Sequence, residues 1–321
     1  MSTPVSIRST ICHAPSRSTH LLVTLAALMA ALMTVLPAGF ARASEPAVKA
    51  LNVRALARYD YTHVDSEEVF RFTPPPPVLD QSTFGEEDID AGAILGFVTL
   101  PIEHSLGARF FAGPTGSKRH VDRFDATRSY GFELGGDLFW RDPEVGELGI
   151  GPRYLFSSST TGGVDRTTNS VGADVYGVLF VQDFGVGAID LRGYLGFLHS
   201  ESDPEAESDG TYSGMSNFRA GGNATLYVSD FLALGLGGSW SRSNFGNGGE
   251  SLDISSADID IDVLVPVVLP ITLGAEVSIG RQERSAAGFA QFGRDFFSIG
   301  VSLTLSFTDA SSLLELNRFY Y

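Results

Sequence analysis

Asp258, Asp260 and Asp262 stand at alternate positions of the run from Ser256 to Val263, and Glu276 follows on the next segment. On an extended strand successive side chains point to opposite faces, so these three carboxylates share one face while Ala257, Ile259, Ile261 and Val263 share the other. Carboxylates lining a water-filled passage favour cations passing or lodging there. The same row facing arginines is neutralised and serves as internal glue. Candidates for that pairing exist: Arg54, Arg58, Arg109, Arg153, Arg192 and Arg219 fall on the polar faces of other alternating segments, with Asp60, Glu133, Asp137, Asp174 and Asp190. Six bases against nine acids imply internal pairing with a modest acidic excess.

Other reactive groups carry less. His199 has Ser200 and Ser202 beside it, but a hydrolytic site needs a serine within hydrogen-bond reach of a histidine and an orienting partner, and no motif here supplies one. Asp203-Pro-Glu205-Ala-Glu207-Ser-Asp209-Gly210 echoes the start of a calcium loop, yet Ser216 stands where a loop begun at Glu205 needs its twelfth-position glutamate. Lys118, Arg119, His120 and Arg123 form a basic cluster in a long connection, diluted by Asp122 and Asp125. Pro74 to Pro77 read as exposed polyproline II. These residues imply no catalytic group, no cofactor and no resident metal.

The elements that carry these groups are strands. Twelve segments alternate apolar and polar residues: 51–62, 90–100, 104–113, 127–141, 148–157, 170–182, 186–198, 216–229, 231–243, 255–266, 271–283 and 294–307. Their connections alternate in length. Long ones fall at 63–89, 114–126, 158–169, 199–215, 244–254 and 284–293, and a short turn separates each from the next. Long loops alternating with short turns are the pattern of a transmembrane barrel, and an even strand number puts both chain ends on one side.

The apolar rows carry no charge. One reads Tyr130, Phe132, Leu134, Gly136, Leu138, Trp140; another Leu232, Leu234, Leu236, Gly238, Trp240; the last Phe297, Ile299, Val301, Leu303, Leu305, Phe307. Aromatics gather at the ends of the strands, Tyr59, Tyr61, Tyr154, Phe156 and Trp240 on the loop side and Phe139, Trp140, Phe184, Phe231 and Phe307 on the turn side. Such rings favour the boundary between lipid tails and water. The second segment is the least clear, with Ile94 and Val98 assigned to its inner face. Inner neighbours are often small, as at Gly131, Gly135, Gly235, Gly237, Ser239, Gly300 and Ser302.

The whole chain has 22 Lys+Arg against 38 Asp+Glu. Residues 1–43 hold three arginines and no acid, so the remainder has 19 bases against 38 acids and a net charge of −19. That balance disfavours nucleic acid. Arg8 and Arg17, the apolar run from Leu21 to Leu36, and the small-x-small site Ala41-Arg42-Ala43 read as a cleaved export signal over 1–43. The one cysteine, Cys12, lies inside it, so disulfides cannot stabilise the exported chain. No later segment is long and apolar enough for a membrane-crossing helix.

Asn223 to Arg242 resembles a hairpin common in bacterial outer-membrane barrels, in which an outward strand ends in an aromatic, a short polar turn follows, and a Leu-x-Leu-Gly strand returns. Ser298, Gly300, Leu303, Leu305 and Phe307 resemble the last-strand signal read by the barrel assembly machinery. The resemblance covers the chain after the signal and reaches only a superfamily, that of small porin-like and OmpA-like membrane barrels. It implies an all-β, up-and-down antiparallel transmembrane barrel of about twelve strands (ten or fourteen as neighbouring counts) over 44–307, with short periplasmic turns and long extracellular loops. The implied partners are outer-membrane lipid, lipopolysaccharide and the assembly machinery. Residues 308–321 continue past the usual end, and they read either as an alternative assembly signal or as a short amphipathic turn of helix. The expected function is a narrow, cation-preferring channel or a closed barrel presenting surface loops. The alternatives are a lipid-modifying enzyme with a rim active site and a soluble secreted β protein.

Overall fold

The computed structural model describes residues 51–73, 78–122, 125–181, 187–203, 214–246, 250–266, 269–285, 292–308 and 310–320. Twelve strands form one closed sheet: β1 (Asn52–Val64), β4 (Glu87–Glu103), β5 (Leu106–Val121), β6 (Thr127–Asp142), β7 (Gly146–Thr161), β8 (Val164–Val181), β9 (Ala188–Ser202), β10 (Gly214–Ser229), β11 (Leu232–Phe245), β12 (Ser251–Pro266), β13 (Pro270–Ser285) and β14 (Phe292–Phe307). Each pairs antiparallel with its neighbours in the barrel. β1 closes the sheet by pairing with both β4 and β14. Closure leaves no edge whose amides and carbonyls lack partners, the condition for β structure in hydrocarbon.

The connection between β1 and β4, expected to be a stiff exposed loop, contains a separate hairpin, β2 (Glu67–Thr73) and β3 (Val78–Phe84). Its tip, Pro74 to Pro77, lies outside the described residues, as do the export signal, Arg123, Phe184 and the acidic stretch after Asp203.

The lipid face is settled by exposure. Leu236 and Ile279 are each 63% exposed and Ile259 is 59% exposed, in rows that meet no other layer of the protein. In a soluble sandwich these side chains would fill a core; here they form an apolar belt. Arginine at Leu236, midway along the crossing, is therefore expected to destabilise the vesicle-folded barrel by about 2–4 kcal/mol. Urea titration reads this directly, and a change within error would contradict lipid contact.

Three further features differ from the sequence reading. The barrel strands run 13 to 18 residues, beyond the ~9–11 that a tilted strand needs to cross. The excess lies at the long-loop end, where β5 carries Lys118, Arg119 and His120 instead of a loop. There the outward rows do hold charge, at Asp90, Arg128, Arg242 and Arg281; they are uncharged only through the middle and the short-turn end.

β4 is also turned over. Ile94 and Val98 face outward beside Ala57 and Val53, and Leu95 and Phe97 face inward. Apolar residues on both faces hid this: Phe97 is held inside by Phe111, 5.7 Å between ring centroids, and by the Arg54 guanidinium 4.9 Å above its ring. Finally, Phe139 is not an interfacial ring. It is 2% exposed, inside the barrel, beneath Arg109 and Arg141.

Candidate functional site

The lumen gathers the charged residues singled out in the sequence. Arg54, Arg58, Asp60, Arg109, Glu133, Asp137, Arg153, Asp174, Asp190, Arg192, Arg219, Asp258, Asp260, Asp262 and Glu276 all occupy inward positions of their strands. Of the last-strand residues, Ser298 and Gly300 point inward while Leu303, Leu305 and Phe307 point outward. The lumen divides into two halves of different character.

On the half formed by β5 to β10, charges are paired and stacked, apart from Arg192, which forms no ion pair among the described residues. Arg109 lies 3.6 Å from Asp137 and 3.4 Å from Glu147. Glu147 also accepts from Arg141 Nε at 2.5 Å and from the Tyr176 hydroxyl at 2.6 Å. Arg153 bridges Glu133, at 3.0 Å, and Asp174, which also accepts from Arg219 at 2.7 and 2.8 Å. The guanidiniums of Arg109 and Arg153 stand over Phe139 and Phe111 at 5.1 and 5.2 Å. Burying ions requires such saturation with partners. A cavity of about 270 Å3 remains among Arg109, Arg153, Arg192, Arg219, Tyr176 and Tyr194.

Arg141 and Glu147 are the members missed in the sequence, because Glu147 reads as part of a polar turn. The signal was present: Arg141 continues the inward parity of Asp137 and Phe139, so extending the alternation to the strand end would have found it.

The other half is acidic. Asp258, Asp260, Asp262 and Glu276 border a cavity of about 230 Å3 with Arg58 and Asn223. Arg58 is committed to Asp60 at 2.8 Å and Glu276 at 3.2 Å. Among the described residues Asp258, Asp260 and Asp262 form no ion pair. Glycine makes room for them. Gly237 and Gly235 on β11 stand opposite Asp258 and Asp260, and a Cβ at either would overlap the facing carboxylate. The acids therefore lie against bare backbone, open to the lumen and short of counter-charge.

No family model matches the chain, and no curated protein matches it. Among solved structures, an outer membrane channel from Pseudomonas putida F1 matches with a TM-score of 0.52 at 11% identity, over 83% of this chain and 99% of that one. The fold is that of a bacterial outer-membrane β-barrel. The β domain of the Bordetella autotransporter Brka matches with a TM-score of 0.47 at 12% identity, over 79% of this chain and 100% of that one. The translocator domain of the autotransporter NalP from Neisseria meningitidis does so at 0.46 and 13%, over 92% and 99%.

At the long-loop rim Tyr59 and Tyr61 donate to Asp90 and Asp88 at 2.5 and 2.7 Å, and His63 Nδ1 lies 2.8 Å from Asp88. Glu87 accepts from Arg119 at 2.5 and 2.9 Å and from Arg294 at 3.3 Å, tying β4, β5 and β14 together. His199 does not engage the serines beside it in sequence. Ser200 turns inward to Ser170 at 2.8 Å and Ser202 lies 3.2 Å from Thr168, while His199 Nδ1 lies 3.1 Å from Ser216 on β10.

At the short-turn end the chain beyond β14 turns back into the barrel's mouth. A helical turn, Leu313–Glu315, continues as a π-helical turn, Leu316–Tyr320. Leu313 packs with Tyr227, Ala233 and Leu264.

Proposed function

We propose that this chain is a Gram-negative outer-membrane protein, exported by the signal over 1–43, whose lumen is a narrow cation-preferring channel. The observation that carries the reading is the unpaired ladder of Asp258, Asp260 and Asp262 on the wall of a lumen cavity. Most other inward charges are paired, Arg192 apart, so among the described residues the ladder is the main block of unpaired charge in the lumen. A cation between these carboxylates exchanges part of its hydration for fixed negative charge, whereas an anion meets repulsion. A barrel of twelve strands has a bore narrow enough for that field to reach across it. The arrangement offers hydration and charge, and we assign it no catalytic role.

The paired network on β5 to β10 favours a second reading, a barrel closed by its own side chains whose function lies in its surface loops. Planar-bilayer recording separates the two. The channel reading expects unitary steps, with a reversal potential in a potassium chloride gradient displaced toward that of potassium. Silent membranes containing correctly folded protein, both full-length and truncated after Phe307, would remove it in favour of the closed barrel.

A further inference from the structure

We propose that residues 310–320 form a plug that closes the periplasmic exit of the acidic ladder, latched by Arg318 on Asp190. The inference rests on the channel reading and identifies what limits it.

The plug is built locally and then docked. Ser312 caps the turn by accepting from the Glu315 amide at 3.1 Å, and the Glu315 carboxylate accepts from the Ser311 amide and hydroxyl at 3.0 and 3.1 Å. This Ser-x-x-Glu arrangement starts a helix, but so short a helix has no stability of its own. What holds it is the barrel. Its Leu313 amide donates to the Asp230 carbonyl, in the turn between β10 and β11, at 2.8 Å. Leu313 and Leu316 are 1% and 0% exposed, values of a packed interior and not of a trailing end.

The latch lies on the adjoining strands β8 and β9. Arg318 donates to Asp190 Oδ1 through Nη2 at 2.7 Å and Nε at 3.1 Å, and its guanidinium stands 4.7 Å over Phe180. The other Asp190 oxygen accepts from Tyr227 at 2.9 Å, and the Tyr227 hydroxyl accepts from the Asn317 amide at 2.8 Å. Asp190 on β9 is thus saturated by the tail and by a residue that itself binds the tail.

The position of the plug gives it a consequence for permeation. Leu264, against which Leu313 packs, is two residues beyond Asp262 on the same inward face of β12. Two strand residues span about 7 Å, so the apolar cluster begins directly below the lowest carboxylate of the ladder. A cation leaving Asp262 toward the periplasm meets leucine. Apolar constrictions of this kind close by excluding water.

The test is planar-bilayer recording on the chain from residue 44, comparing the full-length protein, a truncation after Phe307, and Arg318→Asp. The last guards against a truncation that fails to assemble. Both variants should show several-fold greater conductance or open probability with cation preference retained, and Asp190→Arg combined with Arg318→Asp should return the full-length behaviour. Equal steps in all proteins overturn the plug and leave the channel intact. Silence in all of them overturns the channel reading and the closure with it. Docking is then read separately with Leu316→Cys, the only cysteine of that chain, and a polar maleimide. Protection that Arg318→Asp abolishes supports the docked segment; equally rapid labelling with and without Arg318→Asp overturns it.

Discussion

Replacing Asp258, Asp260 and Asp262 together by asparagine removes the cation preference of the lumen. The substitution keeps side-chain volume, so the glycines at 235 and 237 still accommodate position 260 and position 258, and bore and fold are retained. Only charge is lost. At an effective dielectric of about 20, a monovalent cation ~7 Å from one carboxylate gains about 2 kcal/mol. Salt at ~0.1 M, with a Debye length of about 10 Å, roughly halves this. Three carboxylates together still exceed the ~1.4 kcal/mol that makes a tenfold difference. The cation-to-anion permeability ratio is therefore expected to fall about tenfold or more, because Glu276, the remaining acid of the ladder, is ion-paired with Arg58, which it shares with Asp60. Reversal potentials in a potassium chloride gradient give the ratio, and an unchanged value would refute the ladder's role.

Glu147→Gln has the largest expected effect on stability. Arg141 is 1% exposed, and Glu147 is the acid that the structure places against it. Removing that charge takes from a buried guanidinium the acid that faces it, weakens the hold on Arg109, and takes a charge-assisted bond from Tyr176. Breaking a buried pair from one side destabilises by about 3–5 kcal/mol, whereas replacing both members with apolar residues is often neutral. Urea denaturation of the vesicle-folded barrel should show the full loss for Glu147→Gln and a large recovery for Arg141→Met combined with Glu147→Leu. A loss below about 1 kcal/mol for the single variant would mean that water reaches Arg141. The contrast is with rim pairs such as Arg281 and Glu283, both about half exposed, where measured contributions are typically small.

Much of this was legible in the residues because the barrel repeats one rule twelve times. Side-chain direction alternates along every strand, and a charge in hydrocarbon is costly, so an uncharged row such as Leu232, Leu234 and Leu236 reveals which face meets lipid without any knowledge of the neighbours. The ladder was visible for the same reason, since Asp258, Asp260 and Asp262 must share a face in any extended conformation.

Where alternation degenerates, the residues alone misled. β4 is apolar on both faces, so its orientation waits on its partners: the pairing of Arg54 with Phe97 turns Phe97 inward, and Ile94 and Val98 outward. Phe139 looks like any interfacial ring until the guanidiniums of Arg109 and Arg141 are seen above it.

Strand number, lipid-facing rows and the ladder's shared face follow from local stereochemistry, which the chain carries within each segment. Which acids are neutralised, and where the tail goes, depend on residues far apart in the chain. Glu276 meets Arg58 and Asp190 meets Arg318 only after closure of β1 on β14 has curved the sheet into a cylinder. Electrostatic pairing and apolar docking act through space, and that space exists only in the closed barrel.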